Sequence, residues 1–102
     1  MITVKASKTT KYLYVEVDGH AGFANVGQDI VCAAASMLYQ AFLKVTDDAG
    51  LIASEWDDNV SAVRVIRCEE SESWYEMMMA GFELLEDEYS EFVHVQGRNE
   101  NG

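Results

Sequence analysis

The first part of the chain alternates apolar and polar residues in two short runs, and each run predicts a β-strand. The first run covers residues 2–6, and the second covers residues 12–17, where aliphatic side chains occupy every second position from Leu13. Residues 7–11 between them are mostly Ser, Thr and Lys, so we expect a hairpin turn there.

A longer run has helical periodicity. Its apolar residues recur at the spacing of one helix face and predict a helix over residues 30–48. Asp29 has the short acceptor side chain that is preferred at an N-cap, and Gly50 is a typical residue at a helix end. Residues 19–28 before this helix contain several glycines and have no period, so we expect a loop.

The second half of the chain repeats this pattern of strands and a helix. An amphipathic run predicts a second helix over residues 71–89, capped by Ser71 or Ser73. Three further strands are predicted at residues 51–56, 60–68 and 92–96. Residues 97–102 are polar and predict a frayed tail.

The predicted order is ββαββαβ within a single domain that spans residues 1–102. Strands joined by short turns favour an antiparallel sheet, so we expect a two-layer, mostly antiparallel α+β fold with both helices on one face. The opposite face then carries large apolar side chains, which are Tyr12, Tyr14, Trp56 and Ile66. A second copy of the chain would cover them, and we therefore expect a homodimer.

The chain is strongly acidic, with 18 acidic and 7 basic residues and a formal net charge of −11. This charge repels phosphate backbones, so we expect no nucleic-acid partner. It attracts basic proteins, although acidity also serves solubility alone. We expect no membrane segment, because no apolar run is long enough to span a bilayer and the N-terminus lacks the pattern of a signal peptide.

The chain has two cysteines, Cys32 and Cys68, which is too few for a disulfide scaffold of this size. We therefore expect free thiols and a cytoplasmic protein. Two glutamates follow Cys68 and disfavour its thiolate, so we expect it to be inert. His94 alternates with Phe92 and Gln96 in the last predicted strand, so we expect it to have a structural role. Neither the cysteines nor the histidines have the close spacing of metal ligands, so we expect no metal and no cofactor.

The most informative segment is GHAGFANVGQDIVCAAAS at residues 19–36. Cys32 falls in the first turn of the predicted helix, where unpaired N–H groups and the helix dipole favour an anion such as a thiolate. The glycine-containing loop returns His20 toward that turn, where it can act as a base or stabilise the thiolate. A cysteine paired with a histidine in this way is typical of nucleophilic catalysis.

This segment resembles the signature of the ribosomal-processing cysteine proteases, the Prp family, in its GHA tripeptide and its DIVCAA run followed by Ser36. The chain length and the closing DEYSEFVHV are also similar to that family. The resemblance implies that His20 and Cys32 are the catalytic residues and that Asp29 and Ser36 support them. It also implies a substrate, which is the N-terminal extension of a large-subunit ribosomal protein.

The supporting residues have simpler interpretations as well. Asp29 can cap the helix or orient His20, and the capping role is favoured. Ser36 lies one turn beyond Cys32 and can contact the histidine or substrate, or bond to the carbonyl four residues before it. Backbone N–H groups near Gly27 and Cys32 are candidates for an oxyanion hole.

The function predicted from the sequence is therefore a cysteine endopeptidase that acts on a basic protein, with a mobile substrate loop that contains Gly19, Gly22 and Gly27. Two alternatives remain at this point. One is a phage-type protease that processes a capsid or scaffold protein. The other is a non-catalytic, ribosome-associated module in which Cys32 is a redox-sensitive or structural thiol.

Overall fold

The structure is a computed structural model that describes residues 1–25 and 29–97. Its strands are β1 (Ile2–Lys8), β2 (Tyr12–Asp18), β3 (Ile52–Asp57), β4 (Ser61–Ile66) and β5 (Val93–Gln96). Its helices are α1 (Ile30–Asp48) and α2 (Glu69–Glu88). The element order is ββαββαβ, as the sequence predicts. Gly27 and the tail residues 98–102 lie outside the described residues.

The five strands form one sheet in the order β3-β4-β2-β1-β5, and every neighbouring pair is antiparallel except β1 with β5. Alternate strand residues such as Val4, Val15 and Val63 are fully buried. They belong to one core cluster with apolar residues of both helices, including Phe42 and Phe82. The predicted two-layer α+β fold, mostly antiparallel, is confirmed.

The opposite face of the sheet carries the large side chains that the sequence predicts there. Trp56 is 44% exposed and Ile66 is 43% exposed. Part of this surface is covered from within the chain, because the Trp56 ring meets the edge of Tyr14 at 6.2 Å between centroids. The guanidinium of Arg64 also lies 4.9 Å from the centre of the Tyr12 ring.

The bounds of α1 agree with the prediction, whereas those of α2 do not. Helix α2 begins at Glu69 and its N-cap is Cys68, so the assignment of Ser71 or Ser73 as the cap is wrong. Ser71 is fully buried inside the first turn. Its hydroxyl accepts a hydrogen bond from the Cys68 N–H at 2.9 Å and donates one to the Ile66 carbonyl at 2.8 Å. The serine thus joins the helix start to the end of β4.

The strand bounds shift by small amounts. β1 extends two residues into the predicted turn, which leaves residues 9–11 between the strands, and β2 begins at Tyr12 as predicted and ends one residue later. β4 ends before Cys68, which is therefore a helix-cap residue and not a strand residue. Neither of the helices that the structure describes is long and apolar enough to cross a membrane.

Candidate active site

The site begins where β2 ends beside the N-terminus of the chain. Gly19 follows this strand with φ +93°, a backbone conformation that favours glycine. A Cβ atom on Gly19 would lie 2.3 Å from the carbonyl oxygen of Met1, so no larger residue fits without a backbone shift. Gly19 therefore lets the chain pass close to Met1 immediately before His20.

The second half of the site is the start of α1, which Asp29 holds in place. Its Oδ1 accepts hydrogen bonds from the N–H groups of Val31 at 3.0 Å and Cys32 at 2.9 Å. Its Oδ2 accepts from the N–H groups of Phe23 at 3.0 Å and Ala24 at 3.3 Å. One buried carboxylate thus caps the helix and ties the preceding loop to it.

These four hydrogen bonds set the charge state of Asp29. The bond from the Cys32 N–H is the largest influence, and together with the bonds from Ala24, Phe23 and Val31 it lowers the pKa of the Asp29 carboxyl below its ordinary value of 3.8. Burial acts in the opposite direction but does not outweigh them. The carboxylate is therefore ionised at neutral pH.

Cys32 is half-buried on the first turn of α1, and its sulfur accepts a hydrogen bond. The donor is the N–H of Ala21, which lies 3.3 Å from Sγ. A backbone N–H that points at sulfur stabilises the negative charge of a thiolate. The loop residue next to His20 therefore contributes directly to the environment of the cysteine.

His20 and Cys32 line the same two cavities, of about 220 and about 400 Å³. The structure thus brings together the two residues that the sequence pairs, twelve positions apart. Among the described residues no hydrogen bond joins them. Hydrogen bonds between catalytic groups often tighten only when substrate binds.

Ser36 is exposed and lines the smaller cavity together with Gly19. Of the alternatives that the sequence leaves open for Ser36, a bond to the carbonyl of Cys32 is not among the hydrogen bonds of the described residues. Gly22 and Asn25 line the larger cavity.

The predicted oxyanion hole needs a correction at Cys32. Its N–H already donates to Asp29, so it cannot donate to a substrate oxyanion in this arrangement. The physical reason is that a carboxylate that caps a helix accepts hydrogen bonds from the same N–H groups that would stabilise an oxyanion. The other candidate, Gly27, lies outside the described residues.

Sequence reasoning missed Tyr39. This residue lines the smaller cavity, and its hydroxyl is buried with no hydrogen-bond partner among the described residues. The sequence spacing could have predicted its place in the site. Ser36 and Tyr39 lie four and seven residues after Cys32, so the three side chains fall on one face of the helix. Tyr39 also fits the apolar, core-facing side of α1, so the helical pattern alone gave no reason to assign it to the site.

The remaining candidates lie elsewhere. Cys68 is a free thiol at the start of α2, with its sulfur 3.8 Å from a carboxylate oxygen of Glu70. The His94 imidazole, half-exposed on β5, has Nδ1 3.3 Å from the Glu86 carboxylate. In residues 1–25 and 29–97 no cluster of three or more His, Cys, Asp or Glu side chains is placed to hold a metal ion.

The chain is similar to known proteins over almost its whole length. The family model of the cysteine protease Prp matches residues 1–94. No curated protein sequence matches the chain.

Several solved structures share the fold. One is an essential ribosomal processing protease Prp from S. aureus with a covalently linked product peptide, at 26% identity and a TM-score of 0.79, covering 96% of this chain and 100% of that one. The same enzyme with a substrate peptide matches at 25% identity and a TM-score of 0.74, with the same coverage. A Streptococcus mutans protein matches at 23% identity and a TM-score of 0.75, covering 100% of this chain and 96% of that one.

The family match covers β1 to β4, both helices, the first two residues of β5 and the segment that holds His20 and Cys32. At the start of α1, a half-buried thiol and a histidine line the same cavities, and this arrangement fits the chemistry of that family. The chain therefore belongs to the family of the cysteine protease Prp and is a cysteine protease.

Proposed function

We propose that Cys32 is the nucleophile of this protease and that His20 is its general base and acid. The observation that supports this best is that both side chains line the same cavities at the start of α1. In the proposed reaction, His20 takes the proton of the Cys32 thiol as the sulfur attacks a peptide carbonyl. The proton then passes to the leaving amine, and water hydrolyses the thioester that remains.

The proposed substrate is the N-terminal extension of a large-subunit ribosomal protein in the cytoplasm. Two observations support it. The similar S. aureus protein is a ribosomal processing protease. In addition, the net charge of −11 attracts basic partners at low ionic strength, and ribosomal proteins are basic.

A phage capsid or scaffold protein is the alternative substrate, since the same acidity would attract a basic viral protein. The two substrates are separated by incubating the protease with each one at equal concentration. Preferential removal of the ribosomal extension supports the first proposal, and preferential cleavage of the viral protein supports the second.

We predict that Cys32→Ala abolishes cleavage of a ribosomal protein that carries its intact extension, because the variant lacks the attacking sulfur. Mass spectrometry of the substrate before and after incubation measures this. Cys68→Ala is the matched control, and we expect it to retain nearly full activity because Cys68 lies at the start of the other helix.

A folded Cys32→Ala protein that still cleaves would contradict the assignment of the nucleophile. Binding of the substrate by the wild type without any cleavage would favour the non-catalytic module with a redox-sensitive thiol.

We propose that Asp29 is a positioning residue, because it joins the loop around Phe23 and Ala24 to the first turn of α1. Asp29→Ala should lower both the melting temperature and the rate at which Cys32 is alkylated, since the loop loses its anchor. Asp29→Asn should be intermediate, because its amide keeps one oxygen acceptor. Unchanged alkylation in Asp29→Ala would show that the carboxylate only caps the helix.

The contribution of Asp29 to stability also depends on pH. Its pKa is lower in the folded protein than its ordinary 3.8, so the contribution is fully present above pH 3.8. It is lost as the pH falls through the folded value. The difference in melting temperature between wild type and Asp29→Ala should therefore shrink in strong acid, toward the difference between Asp29→Asn and Asp29→Ala.

We also propose a homodimer. Two copies that each carry a charge of −11 repel one another unless they meet on an uncharged surface. The sequence predicts the interface on the open sheet face with Trp56 and Ile66, but contacts within the chain already cover part of that face. We therefore place the interface instead at an apolar groove of about 240 Å³ between α1 and α2, whose rim residues Met37 and Met77 are 67% and 77% exposed. Sedimentation velocity should find a dimer for the wild type and a monomer for Met77→Glu. A monomeric wild type would contradict the proposal.

A further inference from the structure

The loop that carries His20 and Ala21 has a second attachment, which is made by the side chain of Phe23. The centroid of its ring lies 5.5 Å from that of Tyr89, at an interplanar angle of 80°, and 5.4 Å from that of Phe92, at 85°. These are edge-to-face aromatic pairs, which are favourable beyond the area that they bury. The three rings form an aromatic cluster that joins the loop to the end of α2 and the start of β5.

The two partner rings of this cluster stand on a turn that backbone hydrogen bonds hold in place. The carbonyl of Tyr89 accepts hydrogen bonds from the N–H groups of Phe92 at 2.8 Å and Val93 at 3.0 Å. The carbonyl of Phe92 accepts one from the N–H of Ile2 at 2.8 Å, at the start of β1. Phe23 therefore packs against a turn whose backbone is bonded to the sheet.

Phe23 itself lies outside the hydrophobic core. The residue is 41% exposed, and it does not belong to the core cluster of the described residues. Substitution of an exposed side chain away from the core usually changes the free energy of unfolding only slightly. The ring contacts of Phe23 therefore contribute more to the position of the loop than to the stability of the domain.

The position of Phe23 affects the reactive sulfur because the two are close along the loop. One residue separates Phe23 from Ala21, whose N–H donates to Sγ of Cys32 at 3.3 Å. The N–H groups of Phe23 and the next residue both donate to Oδ2 of Asp29, and bonds to a single oxygen leave the loop free to turn about that atom. A ring packed against a different element removes this freedom.

We propose that Phe23 is a positioning residue for the cleavage reaction and that it acts through the aromatic cluster. Packing of its ring against Tyr89 and Phe92 keeps the Ala21 N–H directed at the sulfur of Cys32. The inference rests on the proposed function, since it concerns the reactivity of the proposed nucleophile. It makes the turn between α2 and β5, distant in sequence, a determinant of that reactivity.

The first measurement is the rate at which iodoacetamide alkylates Cys32 as a function of pH, in a Cys68→Ser background so that a single thiol reacts. Phe23→Ala should shift the rate profile to higher pH. At neutral pH it should slow alkylation by about tenfold, the effect of losing one hydrogen bond to a charged group. Phe23→Tyr keeps the ring and its edge-to-face contacts, so its rate should stay within about twofold of the wild type.

Trp56→Ala is the matched control. Trp56 is 44% exposed, and its ring also makes an edge-to-face contact, but it lies on the opposite face of the sheet. Its removal should leave the alkylation profile of Cys32 unchanged. An equal shift in Trp56→Ala and Phe23→Ala would overturn the inference, because it would show that loss of any exposed aromatic ring has this effect.

The kinetics of cleavage separate positioning from contact with substrate. Phe23→Ala should lower kcat by about tenfold and leave KM within about twofold, because the ring acts on the cysteine and not on the bound peptide. A higher KM with an unchanged kcat and an unchanged alkylation profile would overturn the inference by showing that the ring contacts the substrate.

A double-mutant cycle tests whether Phe23 acts through the aromatic cluster. Tyr89→Leu keeps an apolar side chain but removes one of the two ring contacts, so it should slow alkylation of Cys32 by about threefold. In the Phe23→Ala background the same substitution should have almost no further effect, because the contact is already absent. Effects that multiply in full would overturn the inference.

The melting temperature and the nucleophile variant complete the test. Phe23→Ala should melt within about 4 °C of the wild type, and a larger fall would overturn the inference by assigning the ring to the stability of the fold. Cleavage that is lost in Cys32→Ala, with cleavage and alkylation both unchanged in Phe23→Ala, would overturn the inference and leave the proposed function intact. Cleavage that persists in Cys32→Ala would overturn both.

Discussion

The site depends on the carboxylate of Asp29. Its two oxygens accept hydrogen bonds from four backbone N–H groups, two at the start of α1 and two in the loop before it. Without this anchor the helix would lose its cap, and the loop that carries His20 and Ala21 would lose two of the hydrogen bonds that tie it to the helix start. The position of the thiol relative to the histidine therefore follows from one ionised side chain.

The Asp29 carboxylate also changes the electrostatic environment of Cys32. The N-terminus of a helix favours an anion, but here Asp29 already supplies a negative charge at that end. It also occupies the N–H of Cys32, which the sequence marks as a candidate oxyanion donor. What remains for the sulfur is the hydrogen bond from the N–H of Ala21, which the loop supplies. We therefore propose that the loop contributes more than the helix to the activation of Cys32.

The sequence predicts best those features that depend on residues close together in the chain, and it predicts less well those that depend on contacts between distant residues. Helix α1 was predicted with correct bounds, because Asp29 and Gly50 both act within one turn of the helix ends. Helix α2 starts two residues earlier than predicted, because Ser71 reaches back to the end of β4 and the cap falls on Cys68. The glycine-containing loop between His20 and Cys32 predicts that the two residues share one site, and both line the same cavities. The sequence could not predict that the buried Tyr39 hydroxyl has no hydrogen-bond partner among the described residues, because only the packed fold shows which groups surround it.

The most direct test of the central claim is the rate at which iodoacetamide alkylates Cys32 as a function of pH, measured in a Cys68→Ser background so that a single thiol reacts. The account predicts that His20→Ala shifts the rate profile to higher pH, since the thiolate loses the histidine that stabilises it or accepts its proton. Coincident profiles with and without His20 would show that the two residues are not coupled, and they would contradict the account.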